Sequence, residues 1–251
     1  MTEATGRVAL VTGAGSGIGA ATARLLAARG MRVAVDYLHG GAAAEEVVAG
    51  IEAAGGQAMA VRADVRDPAA VETMIERVQS AWGGIGVLVN NALTPYAIKS
   101  FRDMTWEELG RKLDDEMRAA FTVTKAVLPA MTEQGWGRII YLGTALSRRP
   151  RAGMIALGTA KAALAQFARY LAQELGPQGI TVNVVEPGPV EDTRMTHVLD
   201  EEHKRRQIAA TPLGRLAHPD DVAHAVAFYA SEDNAFMTGT TAAVNGGMAM
   251  Y

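Results

Sequence analysis

Four glycines alternate with other residues in the stretch "VALVTGAGSGIGAA", directly after an apolar run and at the start of a helical pattern. Glycine lets a backbone approach a ligand closely, and the first turn of a helix offers free N–H groups and a partial positive charge. A strand, a glycine-rich turn and a helix in that order form the usual binding site for a pyrophosphate. The loop therefore predicts that the chain binds a dinucleotide. The candidate pyrophosphate contacts are Gly13, Ser16, Gly17, Ile18 and Gly19.

A single lysine lies near the start of a second helical pattern. The segment "IALGTAKAALAQFARYLAQEL", residues 155–175, repeats apolar side chains at steps of three and four residues, which is typical of a helix. Lys161 is surrounded by alanines, which disfavours a merely solvated role for its charge. The side chain one turn before it on the same face is Leu157. The chemistry open to Lys161 depends on what this neighbour can do.

The composition is that of an ordinary globular protein and excludes several kinds of site. The 251 residues are 49% hydrophobic and 20% charged, with a net charge of −3. The absence of cysteine excludes disulfides, thiolate nucleophiles and cysteine zinc sites, and the histidines lack metal-ligand spacing, so no metal is expected. There is no basic tract, no secretion signal and no apolar stretch near the roughly 18 residues of a membrane span. We expect a cytoplasmic protein that acts on a small molecule and binds neither nucleic acid nor membrane.

Short β-branched runs alternate with longer helical patterns that begin or end at Gly, Asp, Thr or Pro. The predicted strands are 7–12, 32–37, 57–64, 85–90, 137–143, 180–187 and 241–246. Their nearly continuous apolar character suits a parallel sheet that is covered on both faces. We predict a single α/β domain over 1–251, doubly wound and Rossmann-type, with about seven parallel strands and helices on both faces. Residues 189–216 break the alternation and predict a lid-like insert, in which Met195, His197 and Leu199 help to shape a pocket.

Several motifs resemble those of the short-chain dehydrogenase/reductase family, and the resemblance extends over the whole chain. The order Thr-Gly-x-x-x-Gly-Ile-Gly is similar to that family's glycine loop, and "RADV", "NNA", "PG" and "VNGGMAM" resemble its later motifs. The resemblance, closest to the classical 3-oxoacyl-acyl-carrier-protein-reductase type, implies an NAD- or NADP-dependent oxidoreductase that forms a homotetramer or homodimer. The further cofactor contacts that it implies are Asp64 and Val65 near the adenine, Asn90 and Ala92 after the fourth strand, Pro187 and Gly188 beside the nicotinamide, Thr193 and Lys161.

The end of the second predicted strand bears on the choice between NAD and NADP. An acidic residue there usually binds the adenosine ribose hydroxyls and repels a 2′-phosphate. Asp36 stands near that position, and Ser16 leaves the glycine loop without a basic residue, which favours NAD. However, "VDYLHGG" is also similar to an Asn-Tyr version in NADP-using relatives, and Asp36 could simply end a strand. The sequence therefore predicts NAD or NADP, with a lean to NAD.

The resemblance also implies a catalytic set, from which this chain departs. In the family, a lysine holds the nicotinamide ribose and lowers the pKa of a tyrosine four residues earlier, which exchanges a proton with the carbonyl–alcohol pair. Lys161 matches this lysine, whereas Leu157 occupies the place of the tyrosine. The family serine falls on Thr144, which keeps a hydroxyl, and the family asparagine falls on Glu116.

This departure changes the expected chemistry. Leucine cannot give the proton that an alkoxide requires, and losing such a group costs on the order of a hundred- to ten-thousand-fold in rate. Hydride addition to a conjugated alkene is more tolerant, because the resulting enolate needs only hydrogen-bond stabilisation, which Thr144 and Lys161 could supply. Tyr96 is a candidate substitute acid, and Tyr141 is predicted to be core. Glu116 is either an exposed acid or, if burial raises its pKa, a usable acid or base.

Three hypotheses follow for the function. The first is an atypical short-chain oxidoreductase that transfers hydride between a nicotinamide cofactor and a carbonyl or conjugated alkene. The second is a non-redox enzyme that catalyses a dehydration, cyclisation or isomerisation through Glu116, Thr144 or Tyr96. The third is a catalytically inactive subunit in a hetero-oligomer with an active homologue.

Overall fold

Seven strands pair side by side in a computed structural model of the chain, which describes residues 6–193 and 200–250. The strands are β1 (Val8–Val11), β2 (Arg32–Tyr37), β3 (Gln57–Arg62), β4 (Ile85–Asn90), β5 (Gly137–Leu142), β6 (Ile180–Pro187) and β7 (Thr241–Val244). The helices are α1 (Gly17–Ala28), α2 (Gly41–Ala53), α3 (Pro68–Trp82), α4 (Trp106–Gln134), α5 (Ile155–Leu175), α6 (Glu201–Ala209) and α7 (Pro219–Ala230). All neighbouring strands are parallel, in the order β3-β2-β1-β4-β5-β6-β7. The predicted doubly wound α/β fold is confirmed.

The sheet is buried on both faces, because helices pack against each side. Apolar side chains of α1, α2 and α7 form one core cluster with the sheet, and those of α3, α4 and α5 form the other. Along β1, Ala9 and Val11 belong to the first cluster, whereas Val8 and Leu10 belong to the second. This is the alternation of a strand that is covered twice, and it explains why the sequence of β1 is apolar at every position.

Local sequence signals set where the helices begin and end. The side chain of Asp67 accepts a hydrogen bond from the N–H of Ala69, and Pro68 is the first residue of α3. A reciprocal pair of hydrogen bonds between Thr105 and Glu108 begins α4, and Gly135 ends it in the left-handed conformation.

The strand order creates a crevice at the carboxyl ends of the strands. β1 lies between β2 and β4, so the connections that follow β1 and β4 lead away from each other. Ligands of open α/β sheets bind in the crevice at such a switch point. The glycine loop, the turn after β4 and the end of β5 all lie at this edge.

The predicted lid at 189–216 is described only in part. Val190 forms an isolated bridge with Ala217, and the exposed helix α6 follows. The predicted pocket residues Met195, His197 and Leu199 lie outside the described residues. Within 6–193 and 200–250, no helix is both long and apolar enough to cross a membrane, and no acidic, histidine or cysteine side chains cluster as metal ligands would.

Candidate functional site

The glycine loop is fixed by hydrogen bonds to the turn after β4. The Thr12 hydroxyl oxygen accepts hydrogen bonds from the backbone N–H groups of Asn91 and Ala92, both at 3.0 Å. The Asn91 side-chain amide donates to the carbonyl oxygens of Thr12 and Gly13, at 2.9 and 3.1 Å. These bonds join the carboxyl ends of β1 and β4. The loop is therefore pre-formed at the switch point.

The first turn of α1 has the properties of an anion site. The helix begins at Gly17, the Ser16 side chain makes no capping hydrogen bond among the described residues, and the first turn contains no acidic residue. Its N–H groups and partial positive charge are therefore available to a pyrophosphate. Ile18 packs against the first core cluster and anchors the turn. The loop thus fits the dinucleotide that the sequence predicts.

Three further predicted contact residues lie on the β6 side of the crevice. A β-carbon placed on Gly17 would lie 3.4 Å from the methyl group of Thr193, so Thr193 lies directly against the glycine loop. Pro187 ends β6, and the N–H of Gly188 donates to the carbonyl of Val244 at 3.0 Å. The structure therefore brings these three predicted residues to the same crevice.

Asp36 does not face the place predicted for the adenosine ribose, and this prediction needs correction. Its carboxylate is 1% exposed and lies beneath the glycine loop, where Oδ2 accepts the N–H of Gly13 at 3.1 Å and Oδ1 has no partner among the described residues. Burial outweighs the backbone hydrogen bonds and raises the pKa of Asp36 to about 7. The lean to NAD rested on this carboxylate and on the absence of a basic residue at Ser16, and the buried position of Asp36 removes the first of these supports. The next residue, Tyr37, ends the strand.

We expect Asp36→Asn to stabilise the protein at alkaline pH. The folded-state pKa is about 7, whereas an aspartate in water has a pKa near 3.8, so the stability that protonated Asp36 provides is full below pH 4 and is lost as the pH rises through 7. Asparagine keeps an acceptor for Gly13 and carries no charge. At pH 8 the free energy of unfolding should rise by roughly 1–3 kcal/mol, and by much less at pH 5. Thermal unfolding at both pH values measures this; an equal effect at both would contradict it.

Asp64 is partly exposed at the end of β3 and is held by an arginine. Arg66 donates to both Asp64 oxygens, at 2.8 and 2.9 Å, and reaches Asp115 of α4 at 3.1 Å. The Arg66 hydrogen bond outweighs burial and lowers the pKa of Asp64, which therefore stays ionised. Val65 is buried beside it, and the half-buried Asn90 ends β4. The adenine contact of Asp64 stays a prediction.

Lys161 and Glu116 meet at the carboxyl end of β5. The Lys161 side chain is buried, and its ammonium lies 2.5 Å from the carbonyl oxygen of Leu142 and 2.7 Å from Oε1 of Glu116. One turn earlier on α5, Leu157 is 2% exposed. No proton-donating group stands on that turn at the position of Leu157.

The sequence missed a second buried lysine in this cluster. Lys112 lies 2.5 Å from Oε2 of Glu116, and also donates to the hydroxyl and the carbonyl oxygen of Thr94, at 2.7 and 3.1 Å. The Thr94 hydroxyl in turn donates to Oε2 of Glu116 at 3.2 Å. The signal was available: Lys112 precedes Glu116 by four residues on α4, which is one helical turn.

These partners overturn the expectation that burial would raise the pKa of Glu116. Burial does push that pKa upward, but the two ammonium groups and their hydrogen bonds outweigh it and lower the pKa to about 2. Glu116 therefore remains a carboxylate at every physiological pH and cannot donate a proton. It is neither the exposed acid nor the general acid that the sequence left open.

Thr144 lies in the loop after β5, beside a third buried carboxylate, that of Glu186. Its hydroxyl oxygen accepts the N–H of Leu146 at 3.3 Å. The Ser147 hydroxyl oxygen lies 2.6 Å from Oε1 of Glu186 and 2.9 Å from the carbonyl oxygen of Thr144, and Arg148 reaches Oε2 of Glu186 at 3.4 Å. Glu186 is fully buried directly before Pro187 and was not predicted.

The two candidate tyrosines have different surroundings. Tyr96 is half-buried, with the Lys112 ammonium 5.6 Å from the centre of its ring, and burial raises its pKa. Tyr141 is fully buried, and its hydroxyl lies 2.6 Å from that of Thr124. Burial also raises the pKa of Tyr141. Tyr141 is thus core, as predicted, and Tyr96 stays a candidate.

Comparison with known proteins shows which family the chain resembles. Residues 13–249 match the family described as enoyl-(acyl carrier protein) reductase. The chain is 38% identical over 248 residues to the 3-oxoacyl-[acyl-carrier-protein] reductase of Escherichia coli K12, which covers 98% of both chains. It is 40% identical over 252 residues to the Synechocystis enzyme of the same name, with 100% of both covered. A crystal structure of a dehydrogenase/reductase from Sinorhizobium meliloti 1021 superposes with a TM-score of 0.90 at 36% identity, covering 98% and 96% of the two chains. The glycine loop, the switch-point crevice and these relatives together establish that the chain belongs to the short-chain dehydrogenase/reductase family.

Proposed function

We propose that this protein is a nicotinamide-dependent oxidoreductase that reduces a conjugated carbon–carbon double bond in preference to an isolated ketone. One observation carries the proposal: the buried side chain one turn before Lys161 is Leu157, which holds no transferable proton. A nicotinamide cofactor bound here would supply hydride. A ketone that accepts hydride becomes an alkoxide and needs an acid at hydrogen-bond distance, whereas a conjugated alkene yields an enolate that can be protonated at carbon more slowly.

Different residues around the crevice would bind different parts of the cofactor. The glycine loop and the first turn of α1 would hold the pyrophosphate. Asp64 would contact the adenine, and Asn90 and Ala92 would lie beneath the ribose on the other side of the switch point. Lys161, Thr193 and the Pro187–Gly188 turn would hold the nicotinamide half.

The chain's own contribution to the reaction is electrostatic. Lys161 keeps one N–H group beyond its bonds to Leu142 and Glu116 among the described residues, and an ammonium group has three. With the Thr144 hydroxyl, this group would stabilise the oxygen of an enolate, a contribution of about 2.7–4 kcal/mol for one donor in comparable sites. Tyr96 or water would then deliver the proton to carbon.

Two observations bear on the competing hypotheses. The named relatives are 3-oxoacyl reductases, which favours a carbonyl substrate as the second candidate. The ionised state of Glu116 weakens the hypothesis of a dehydration or isomerisation in which that residue acts as the acid.

An oligomer remains an expectation. Phe121 on α4 and Tyr170 on α5 are 56% and 64% exposed, as suits a face between subunits in a homotetramer, homodimer or hetero-oligomer.

The test is a matched pair of substrates. Oxidation of NADPH and NADH is followed at 340 nm with a cyclic enone and with the saturated ketone of the same skeleton. We expect turnover of the enone at least tenfold faster than that of the ketone. Faster turnover of the ketone would overturn the preference for the alkene, and absence of turnover over a broad panel of both, with no change in bound cofactor, would overturn the redox function.

The surroundings of the adenosine ribose lead us to expect that NADPH binds more tightly than NADH. Asp36 is buried, and the exposed Arg62 ends β3 beside Tyr37, with its Nε 3.3 Å from the carbonyl oxygen of Leu38. A guanidinium at this edge can bind a 2′-phosphate, with a gain of roughly tenfold or more in affinity. Fluorescence titration of both cofactors measures the ratio. Arg62→Gln should bring it towards one, whereas Arg24→Gln, an exposed arginine on α1, should leave it unchanged; tighter binding of NADH would contradict the expectation.

A further inference from the structure

Two lysine side chains and one glutamate form a buried charge cluster behind the crevice. Its members are Lys112, Glu116 and Lys161, whose side chains are 0%, 5% and 5% exposed. Each ammonium lies within hydrogen-bond distance of a different oxygen of the single carboxylate, at 2.5 and 2.7 Å. An isolated charge at this depth would be very costly, and the two ion pairs to Glu116 offset that cost.

The two lysines of the cluster differ in how many of their N–H groups have a partner. Lys112 donates its three N–H groups to Glu116 and to the two oxygens of Thr94. Both oxygens of Glu116 are also occupied. Lys161 alone retains a donor among the described residues, and its fixed partners are Glu116 and Leu142. Any ligand that meets this cluster meets it through Lys161.

The charges of the cluster add to one positive charge. Glu116 by itself would neutralise the charge of Lys161, and the ammonium of Lys112 returns the cluster to a net charge of one positive. Lys112 does not need to touch a ligand to have this effect, because Coulomb interactions in a poorly solvated site act over several ångströms.

The cluster lies on the side of the crevice that would hold the nicotinamide. The Leu142 carbonyl ends β5, and Glu116 lines a small cavity with Asn90 and Ala92 at the end of β4. The pyrophosphate site at α1 lies on the other side of these strand ends, next to β1. A dinucleotide that spans the switch point would therefore place its second half over β4 and β5.

We infer that Lys112 is a positioning residue that offsets Glu116 and so keeps the reaction centre at one net positive charge, which favours reduced over oxidised cofactor in the site. The inference rests on the proposed function. An oxidised nicotinamide ring carries a positive charge and a reduced one does not. A net positive cluster therefore repels the oxidised ring and leaves the reduced ring unaffected, and the same charge stabilises an enolate oxygen.

The test measures dissociation constants for NADPH and NADP⁺ and needs no substrate. In Lys112→Met the cluster becomes neutral, and the ratio of the NADP⁺ constant to the NADPH constant should fall on the order of tenfold. In Glu116→Gln the cluster carries two positive charges, and the ratio should rise by a similar factor. The double variant Lys112→Met/Glu116→Gln has one positive charge again and should return to within about threefold of the unmodified protein.

Lys125→Met provides the matched control. Lys125 is an exposed lysine on the same helix, so its loss changes the total charge equally and leaves the cluster intact. Its ratio should not change. If Lys112→Met fails to fold by circular dichroism, the comparison of Glu116→Gln with the double variant isolates the same charge, and a roughly tenfold fall in the ratio is again expected.

The outcomes separate this inference from the proposed function. If the unmodified protein binds neither cofactor, the proposed function is wrong and the inference falls with it. If both cofactors bind and Lys112→Met weakens them equally, Lys112 has a merely structural role and the inference alone is overturned. An unchanged ratio in all variants has the same meaning, and a double variant that stays far from the unmodified ratio contradicts the charge account.

Discussion

Gly19→Ala should abolish measurable cofactor binding and lower the stability of the protein. A β-carbon at this position would lie 2.5 Å from the Asn91 side-chain nitrogen and 2.6 Å from the carbonyl oxygen of Gly13. These are the two groups that hydrogen bond to each other and hold the glycine loop against the turn after β4. To make room, α1 must shift away from that turn. We expect a loss of about 1–3 kcal/mol in the free energy of unfolding.

The binding loss follows from the same displacement. An anion at a helix N-terminus depends on N–H groups that point at it, and the effect of the helix dipole falls off within one turn. A shift of the first turn of α1 therefore removes the pyrophosphate site. Titration with NADPH and urea unfolding measure the two effects. Gly50→Ala is the control, because Gly50 lies within α2 with no atom within 4 Å of an added β-carbon. That variant should bind normally and gain about 0.5–1 kcal/mol of stability. Normal binding by Gly19→Ala would contradict the placement of the site.

The fold and the glycine loop could be predicted because their signals are local. The apolar strands, the glycines that end helices and the caps at Asp67 and Thr105 each act within a few residues of the chain. The pyrophosphate site is also local, since a strand, a turn and a helix N-terminus follow one another directly. These features can be predicted without knowing which distant elements contact one another.

The features that the sequence could not predict depend on contacts between elements. Asp36 was placed correctly near the end of a strand, but strand residues alternate between faces, and a step of one residue separates this buried carboxylate from the partly buried Tyr37. Burial alone would raise the pKa of Glu116, but Lys161 from α5 and Lys112 reverse the direction of that shift. Glu116 is indeed buried, but its pKa is lowered where burial alone would have raised it.

Leu157→Tyr should create a ketone reductase from this protein. Tyrosine at this position stands one turn before Lys161, whose remaining N–H group can stabilise a phenolate and so bring the pKa of the hydroxyl towards neutrality. The new group supplies the proton that an alkoxide requires. General acid catalysis of this kind contributes typically 10²–10⁴-fold, so we expect the rate of NADPH-dependent reduction of a saturated ketone to rise by at least about a hundredfold.

Leu157→Phe separates the effect of the hydroxyl from that of the ring. Leu157 is 2% exposed, so either aromatic ring must displace its neighbours and should cost roughly 1–3 kcal/mol of stability. The phenylalanine variant bears this cost without an acid, and its ketone reduction should stay at the level of the unmodified protein. A tyrosine variant that folds, binds NADPH and still fails to exceed the phenylalanine variant would show that the missing acid does not limit ketone reduction. The cause would then lie in the placement of the substrate, and the preference for a conjugated alkene would have to rest on the shape of the pocket and no longer on the chemistry of residue 157.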